Sequence, residues 1–392
     1  MRRLRRPAVV AVLVVGSSGI ARAQEPAAWR SFVSGLESYA RADSIVGAAA
    51  VLVQDGRITA RQAVGFADRD AGERVTDRTI FHWASITKTL TAVAVMQLRD
   101  RGMLTLDDPV TRWIPELRQL HNPYGSMDAI TVRMLLSHSA GFQDPTWPYD
   151  EGRPWEPFEP TRWEQLVAMM PYQEIHFSPG TRYSYSNPAY IYLARIIELL
   201  TDDPWAVYVQ KNIWTPLGMT RSYVNTTPYH LAADRSNRYH LIRDSAGHEQ
   251  VRAGGRDFDP GVTIPNGGWN APLDDVAMWM AFLTGADGGD PGRRRRFETV
   301  LGRNTLEEMW RAVVPAGGSE SMGLGFFLRG QDGRRLVGHT GDQGGFRSFM
   351  YFDPVRRSGV IAVVNTSNEV RADASAEGFK ELLRQGLEVL RP

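Results

Sequence analysis

Apolar positions from Ala27 to Tyr39 recur with the three-and-four spacing of one helix face, which predicts a short amphipathic helix. Two runs of another kind follow, Ile45–Gln54 and Arg57–Gly65, on either side of Asp55-Gly56. Asp-Gly accepts the positive φ angles of a tight turn, so these runs are read as paired strands. The apolar run Thr79–Ala84 leads into Ser85, and helix formers continue from Thr89 to Leu98, predicting a helix that opens at Ser85 and ends by Arg101-Gly102. Thr131–Ser137 reads as a short helix capped by Thr131. Residues 142–163 hold three tryptophans among prolines that forbid a regular helix or strand. They are read as a long loop that either packs over the fold or forms a lip to a binding site.

Thr161-x-x-Glu164 and Thr305-x-x-Glu308 have the form of capping boxes. Helices are expected at Ala189–Thr201, Trp205–Trp214 and Pro272–Leu283. Toward the end, Gly325–Gly330, Arg335–Thr340, Phe346–Phe352 and Gly359–Asn365 read as four strands joined by short turns at Asp332-Gly333 and Asp353-Pro354, a meander. Ala374–Leu390 closes the chain as an amphipathic helix. The pattern predicts an α+β fold: an antiparallel sheet built from both termini, flanked by N- and C-terminal helices, with a mainly helical region laid against it. The sheet region is drawn from about 24–80 and 315–392 and the helical region from about 81–314.

Charge adds a leader to this picture. Residues 1–23 comprise a basic head, the apolar run Ala8–Val15 and a small-residue tail ending at Ala23, the pattern of an export signal cleaved after Ala23. The apolar run is too short to span a bilayer, so a periplasmic or secreted location and a domain over 24–392 are expected. Without the leader, 40 basic residues face 44 acidic ones. That balance argues against nucleic acid or an anionic membrane surface as partner. Cysteine is absent, so no disulfide holds the fold and a hydrophobic core must suffice.

Candidate chemistry centres on Ser85-Ile86-Thr87-Lys88. Residues three apart on a helix are neighbours, so the lysine amine reaches the serine hydroxyl. The helix start supplies free N–H groups for a developing oxyanion. Lysine can lose its proton near neutral pH when buried, and arginine cannot. The chain has only three lysines, Lys88, Lys211 and Lys380, among 45 basic residues. The competing reading makes Ser85 a helix cap and Lys88 a solvated charge.

Two further motifs follow in order, Tyr185-Ser186-Asn187 and His339-Thr340-Gly341. With the frames around Gly102–Pro109, Ile130–Phe142, Phe177–Asn187, Pro216–Met219 and Gly344–Phe346, they make the chain resemble the serine β-lactamase and penicillin-binding-protein superfamily. The match is closest to its class C β-lactamase, DD-carboxypeptidase and esterase branch. The resemblance implies a β-lactamase/transpeptidase-like fold and acyl transfer, with Ser85 as nucleophile, Lys88 as the group that takes its proton and Tyr185 as second proton carrier. It implies that Asn187 binds the acyl side chain and helps position Lys88, that His339, Thr340 and Gly341 bind substrate, and that the backbone N–H groups of Ser85 and Asp342 form the oxyanion hole. His339 departs from the lysine usual in β-lactamases; a histidine is mostly neutral at pH 7, which weakens the case for β-lactam hydrolysis and leaves peptidase, amidase and esterase open.

No cofactor is implied, and the eight histidines show no metal-ligand spacing. His138 falls in a family frame and is read as a packing residue. The expected partner is a small-molecule or peptide substrate: a D-alanyl peptide, a β-lactam, a carboxylic ester or a D-amino-acid amide. The alternative is a relative that binds penicillin or peptide as a sensor without turnover. Oligomeric state is not readable from the sequence.

Overall fold

The computed structural model describes residues 26–142 and 160–391. The expected leader and residues 143–159 of the tryptophan- and proline-rich stretch lie outside them. In chain order the strands are β1 Gly47–Gln54, β2 Arg57–Asp68, β3 Glu73–Arg74, β4 Ile80–His82, β5 Arg238–Arg243, β6 Glu249–Gly255, β7 Asn270–Pro272, β8 Val314–Gly317, β9 Glu320–Met322, β10 Phe327–Gln331, β11 Arg334–Gln343, β12 Phe346–Asp353, β13 Ser358–Val364 and β14 Thr366–Asn368. Nine of them form one sheet in the order β3-β2-β1-β13-β12-β11-β10-β9-β8, antiparallel throughout.

The hairpin tips explain the register. Asp55 and Gly56 adopt φ of 46° and 74°, and Asp332 and Gly333 adopt 50° and 74°, the left-handed pair that a two-residue hairpin turn requires. β1 then pairs along its length with β13, Ala48 opposite Val364 and Gln54 opposite Ser358, which joins the two ends of the chain as the strand pattern predicts.

Alternation along each strand divides the core in two. Ala48, Ala50 and Leu52 of β1 face Trp29, Phe32 and Leu36 of the Ala27–Ala42 helix and Leu382, Leu383 and Leu387 of the Ala372–Glu388 helix. Ala49, Val51 and Val53 face the other way, into the larger core shared with the helical region. At the centre of that region runs the Thr87–Asp100 helix, buried at every position from Thr87 to Leu98. A helix covered on all sides is a scaffold element rather than a surface one. No helix among the described residues is long and apolar enough to cross a membrane.

Several local expectations change. Ser85 lies in a 3-10 turn, Ala84–Ile86, and the α-helix proper begins at Thr87. The Arg303–Met309 helix starts after Gly302, which places Thr305 inside it; the Thr305 hydroxyl bonds Asp100 at 2.7 Å instead of capping. At Trp163–Met169 the side chain of Gln165, not Glu164, reaches back to the N–H groups of Thr161 and Arg162. The expected Trp205–Trp214 helix is α only to Val209 and then winds as a π turn over Gln210–Trp214. The β5–β6 hairpin, its parallel partner β14 and the β4–β7 pair were not anticipated. The β14–β5 and β4–β7 pairings join segments far apart in the chain, which local pattern does not reveal.

Candidate active site

From Thr79 to Leu98 every residue is buried except Ser85, which is half-buried. The turn that presents it is tight: Ala84 has φ of 47°, a conformation that costs a non-glycine residue about 1–3 kcal/mol. Neighbouring hydrogen bonds hold it. Thr87 Oγ1 donates to the Ala84 carbonyl at 2.6 Å and accepts from Trp269 N–H at 3.0 Å.

Lys88 is completely buried, and its Nζ lies 2.9 Å from Ser85 Oγ, 2.7 Å from Asn187 Oδ1 and 2.8 Å from the Asn266 carbonyl. Burial alone drives its pKa well below the ordinary lysine value. The geometry suits the neutral amine. Its two N–H bonds satisfy Asn187 and Asn266, both acceptors there, and the lone pair is left facing the Ser85 hydroxyl. Asn266 Nδ2 also donates to Asn187 Oδ1 at 3.1 Å, fixing the amide that aligns the lysine. Asn266, in the Ile264–Gly267 turn, carries no motif, and nothing in the sequence singled it out.

Tyr185 and Asn187 straddle Ser186, whose side chain accepts from Ala189 N–H and caps the Asn187–Thr201 helix. The Tyr185 ring lies 4.8 Å from Lys88 Nζ and stacks on His138 with centroids 4.5 Å apart and planes 28° apart. His138 Nδ1 accepts from Ser186 N–H at 3.0 Å. The residue read as packing therefore packs directly on the proposed proton carrier.

His339 is 1 % exposed, and its Nδ1 donates to the Thr340 carbonyl at 2.5 Å. Burial first, and then the nearby Lys88 charge, pull its pKa to about 3, so the third motif presents a neutral ring. His138 is also held well below the ordinary histidine value by burial, then by Lys88 and His339. Each cation in this trio would raise the cost of the next, which favours a neutral set.

Thr340 is half-buried and Asp342 exposed at the free end of β11. Gly344 and Gly345, with φ of 58° and 90°, close a two-residue turn on the pair Gln343/Phe346. A turn of that kind closes on a hydrogen-bonded pair, so alternation makes Asp342/Arg347 a non-bonded pair and turns Asp342 N–H away from β12. On that side β10 pairs β11 only as far as Gly338. The Asp342 amide thus points off the open edge of β11, a strand that runs against the Trp83–Ala84 backbone before Ser85. Gly341 permits this closeness: a Cβ there would lie 2.4 Å from the Trp83 carbonyl and 2.6 Å from Ser348 Oγ. Gly341→Ala is expected to push β11 from the Ser85 turn and destabilise the fold by about 1–3 kcal/mol, readable as a lowered melting temperature.

Residues 33–384 match the family model described as Beta-lactamase. Esterase EstB of Burkholderia gladioli is 34 % identical over 294 residues, 68 % of this chain and 74 % of that protein. Further curated relatives match over 83 % of this chain and 60 % of their own length. The penicillin-binding protein homologue of Pyrococcus abyssi, described as octameric, superposes with a TM-score of 0.72 at 25 % identity, over 91 % of this chain and 77 % of that one. D-amino acid amidase of Ochrobactrum anthropi SV3 gives a TM-score of 0.73 at 22 % identity, over 92 % and 98 %; at that identity the likeness concerns the fold.

Proposed function

The chain belongs to the beta-lactamase family of serine hydrolases, and from that premise we propose that it is an exported esterase that forms an acyl-enzyme on Ser85 and prefers substrates without a carboxylate on the leaving group. The observation that carries the proposal is the single opening in a buried stretch: Ser85 alone reaches the cleft between Thr79 and Leu98, with the Lys88 amine 2.9 Å beneath it.

Ser85 Oγ attacks the ester carbonyl while its proton passes to Lys88 Nζ. The carbonyl oxygen becomes an oxyanion held by the N–H groups of Ser85 and Asp342. On collapse, the bond to the leaving oxygen breaks and that alkoxide takes a proton through Tyr185, whose ring neighbours Lys88. Water then attacks the acyl-enzyme along the reverse proton route and releases the acid. Asn187 keeps Lys88 aimed at Ser85 and borders the acyl group. The name of EstB supports an ester as substrate. The buried neutral His339 supports it too, since no fixed cation stands at the third motif to pair with a carboxylate. The basic head and apolar run before Ala23 support export to the periplasm or beyond.

An ester whose leaving group carries a carboxylate, compared with its own methyl ester, tests the preference. The methyl ester is expected to show about 10- to 100-fold higher kcat/KM, the order of the cost of desolvating a carboxylate that meets no cation. Equal values would contradict the preference, and reversed values would show that the site recognises a carboxylate.

A further inference from the structure

His82 and Gln343 lie outside the three motifs, yet they tie together three backbone segments that the site depends on. His82 ends β4, is 1 % exposed, and places Nδ1 3.0 Å from Asn270 Oδ1 and Nε2 3.1 Å from Gln343 Oε1. Gln343 ends β11, one residue after Asp342. Its side chain lies across Gly267, where a Cβ would come within 2.4 Å of it, and Gly267 follows the Asn266 that orients Lys88. One glutamine amide therefore touches the strand that leads into Ser85, the strand end that carries Asp342 and the turn that carries Asn266.

Burial, and then the charge of Arg235, bring the His82 pKa to about 4, so the ring is neutral and has one N–H to give. Asn270 Nδ2 donates to the Gly268 carbonyl at 3.2 Å, which turns Asn270 Oδ1 toward the ring. Gln343 Nε2 is likewise engaged, donating to Thr263 Oγ1 at 3.4 Å, so the oxygens of both amides face the ring and its N–H donates to one of them. Phe258 packs beneath the same tip, edge-on to His82 at 4.8 Å and against Gly344.

The register shows why this matters. β11 has left β10 behind at Gly338, so Asp342 sits on a two-stranded tip. At the Gly341/Ser348 rung, Ser348 Oγ donates to the Trp83 carbonyl at 3.2 Å. At the Gln343/Phe346 rung, Gln343 meets His82. The Asp342 rung lies between these two fastenings to the segment that precedes Ser85.

We propose that Gln343 and His82 are positioning residues that set the gap between the Ser85 and Asp342 amides, an inference that rests on the acyl-transfer reading above. Gln343→Met, which keeps the volume and removes the amide, tests it with an ester and its thiono analogue. Sulfur is a poor hydrogen-bond acceptor, so the thiono ester draws little from the two amides. Expected are a fall of about 10- to 100-fold in kcat for the oxygen ester, the order of a weakened oxyanion donor, with KM within about twofold and the thiono ester slowed less than about threefold. Equal slowing of both esters, or no slowing, overturns the proposal. If Gln343→Met melts too early to assay, His82→Asn, too short to reach Gln343, carries the same expectation. Wild-type protein runs alongside with a phosphonate ester probe. Absence of label on its Ser85 overturns the acyl-transfer reading itself, whereas labelled wild type with an unchanged ester ratio in the variant overturns only the brace.

Discussion

Ser85→Ala is expected to lose turnover of p-nitrophenyl esters by about 10^4- to 10^6-fold, the scale seen when a nucleophile that works as one unit with its base is removed. The fold should be almost untouched. Ser85 is half-buried, and the bond it loses is the one it donates to Lys88, which keeps Asn187 and Asn266 as partners. A melting curve within about 1 kcal/mol of wild type, together with complete loss of covalent labelling, would separate chemistry from folding. An inactive variant that also melts early would leave the serine as a structural cap.

Lys88→Met is expected to cost about 10^3-fold in acylation, within the range of a general base, while raising stability. The amine is fully buried, and its pKa is held below the lysine range by burial. Its folded value is thus lower than the unfolded one, near 10.4. Between the two values the unfolded chain binds the extra proton, so wild-type stability rises with pH across that interval. The methionine variant should lack the slope and be the more stable protein below it. Activity follows the same amine in the opposite role, being present above the lowered pKa and lost as pH falls through it. Lys88→Arg should lose both properties, because a guanidinium cannot shed its proton and would sit uncompensated in the core. Urea melts at several pH values, paired with acylation rates, check each part.

The sequence made the frame legible where local rules decide the structure. Asp55-Gly56 and Asp332-Gly333 fixed two hairpin tips, strand patterns at both ends of the chain pointed to one shared sheet, and helix formers from Thr89 to Leu98 marked the helix that follows Ser85. The spacing of Ser85 and Lys88 foretold their hydrogen bond. What stayed hidden depends on residues brought together from far apart. Asn266 reaches Lys88 across 178 positions and Gln343 reaches His82 across 261, and neither stands in a pattern that spacing could expose. His138 was recognised as a packing residue, but a flat stack on Tyr185 is a fact of tertiary structure. Thr305 shows the reverse failure: a correct cap motif was set aside because the helix began two residues earlier and the hydroxyl found Asp100.

The central claim is a serine nucleophile served by a neutral lysine, and the rate of phosphonate ester labelling tests it most directly. Intact mass followed by peptide mapping should show one adduct, on Ser85, forming readily at neutral pH in the wild type and about 10^3-fold more slowly in folded Lys88→Met. No adduct, an adduct on another residue, or equal rates in the two proteins would contradict it.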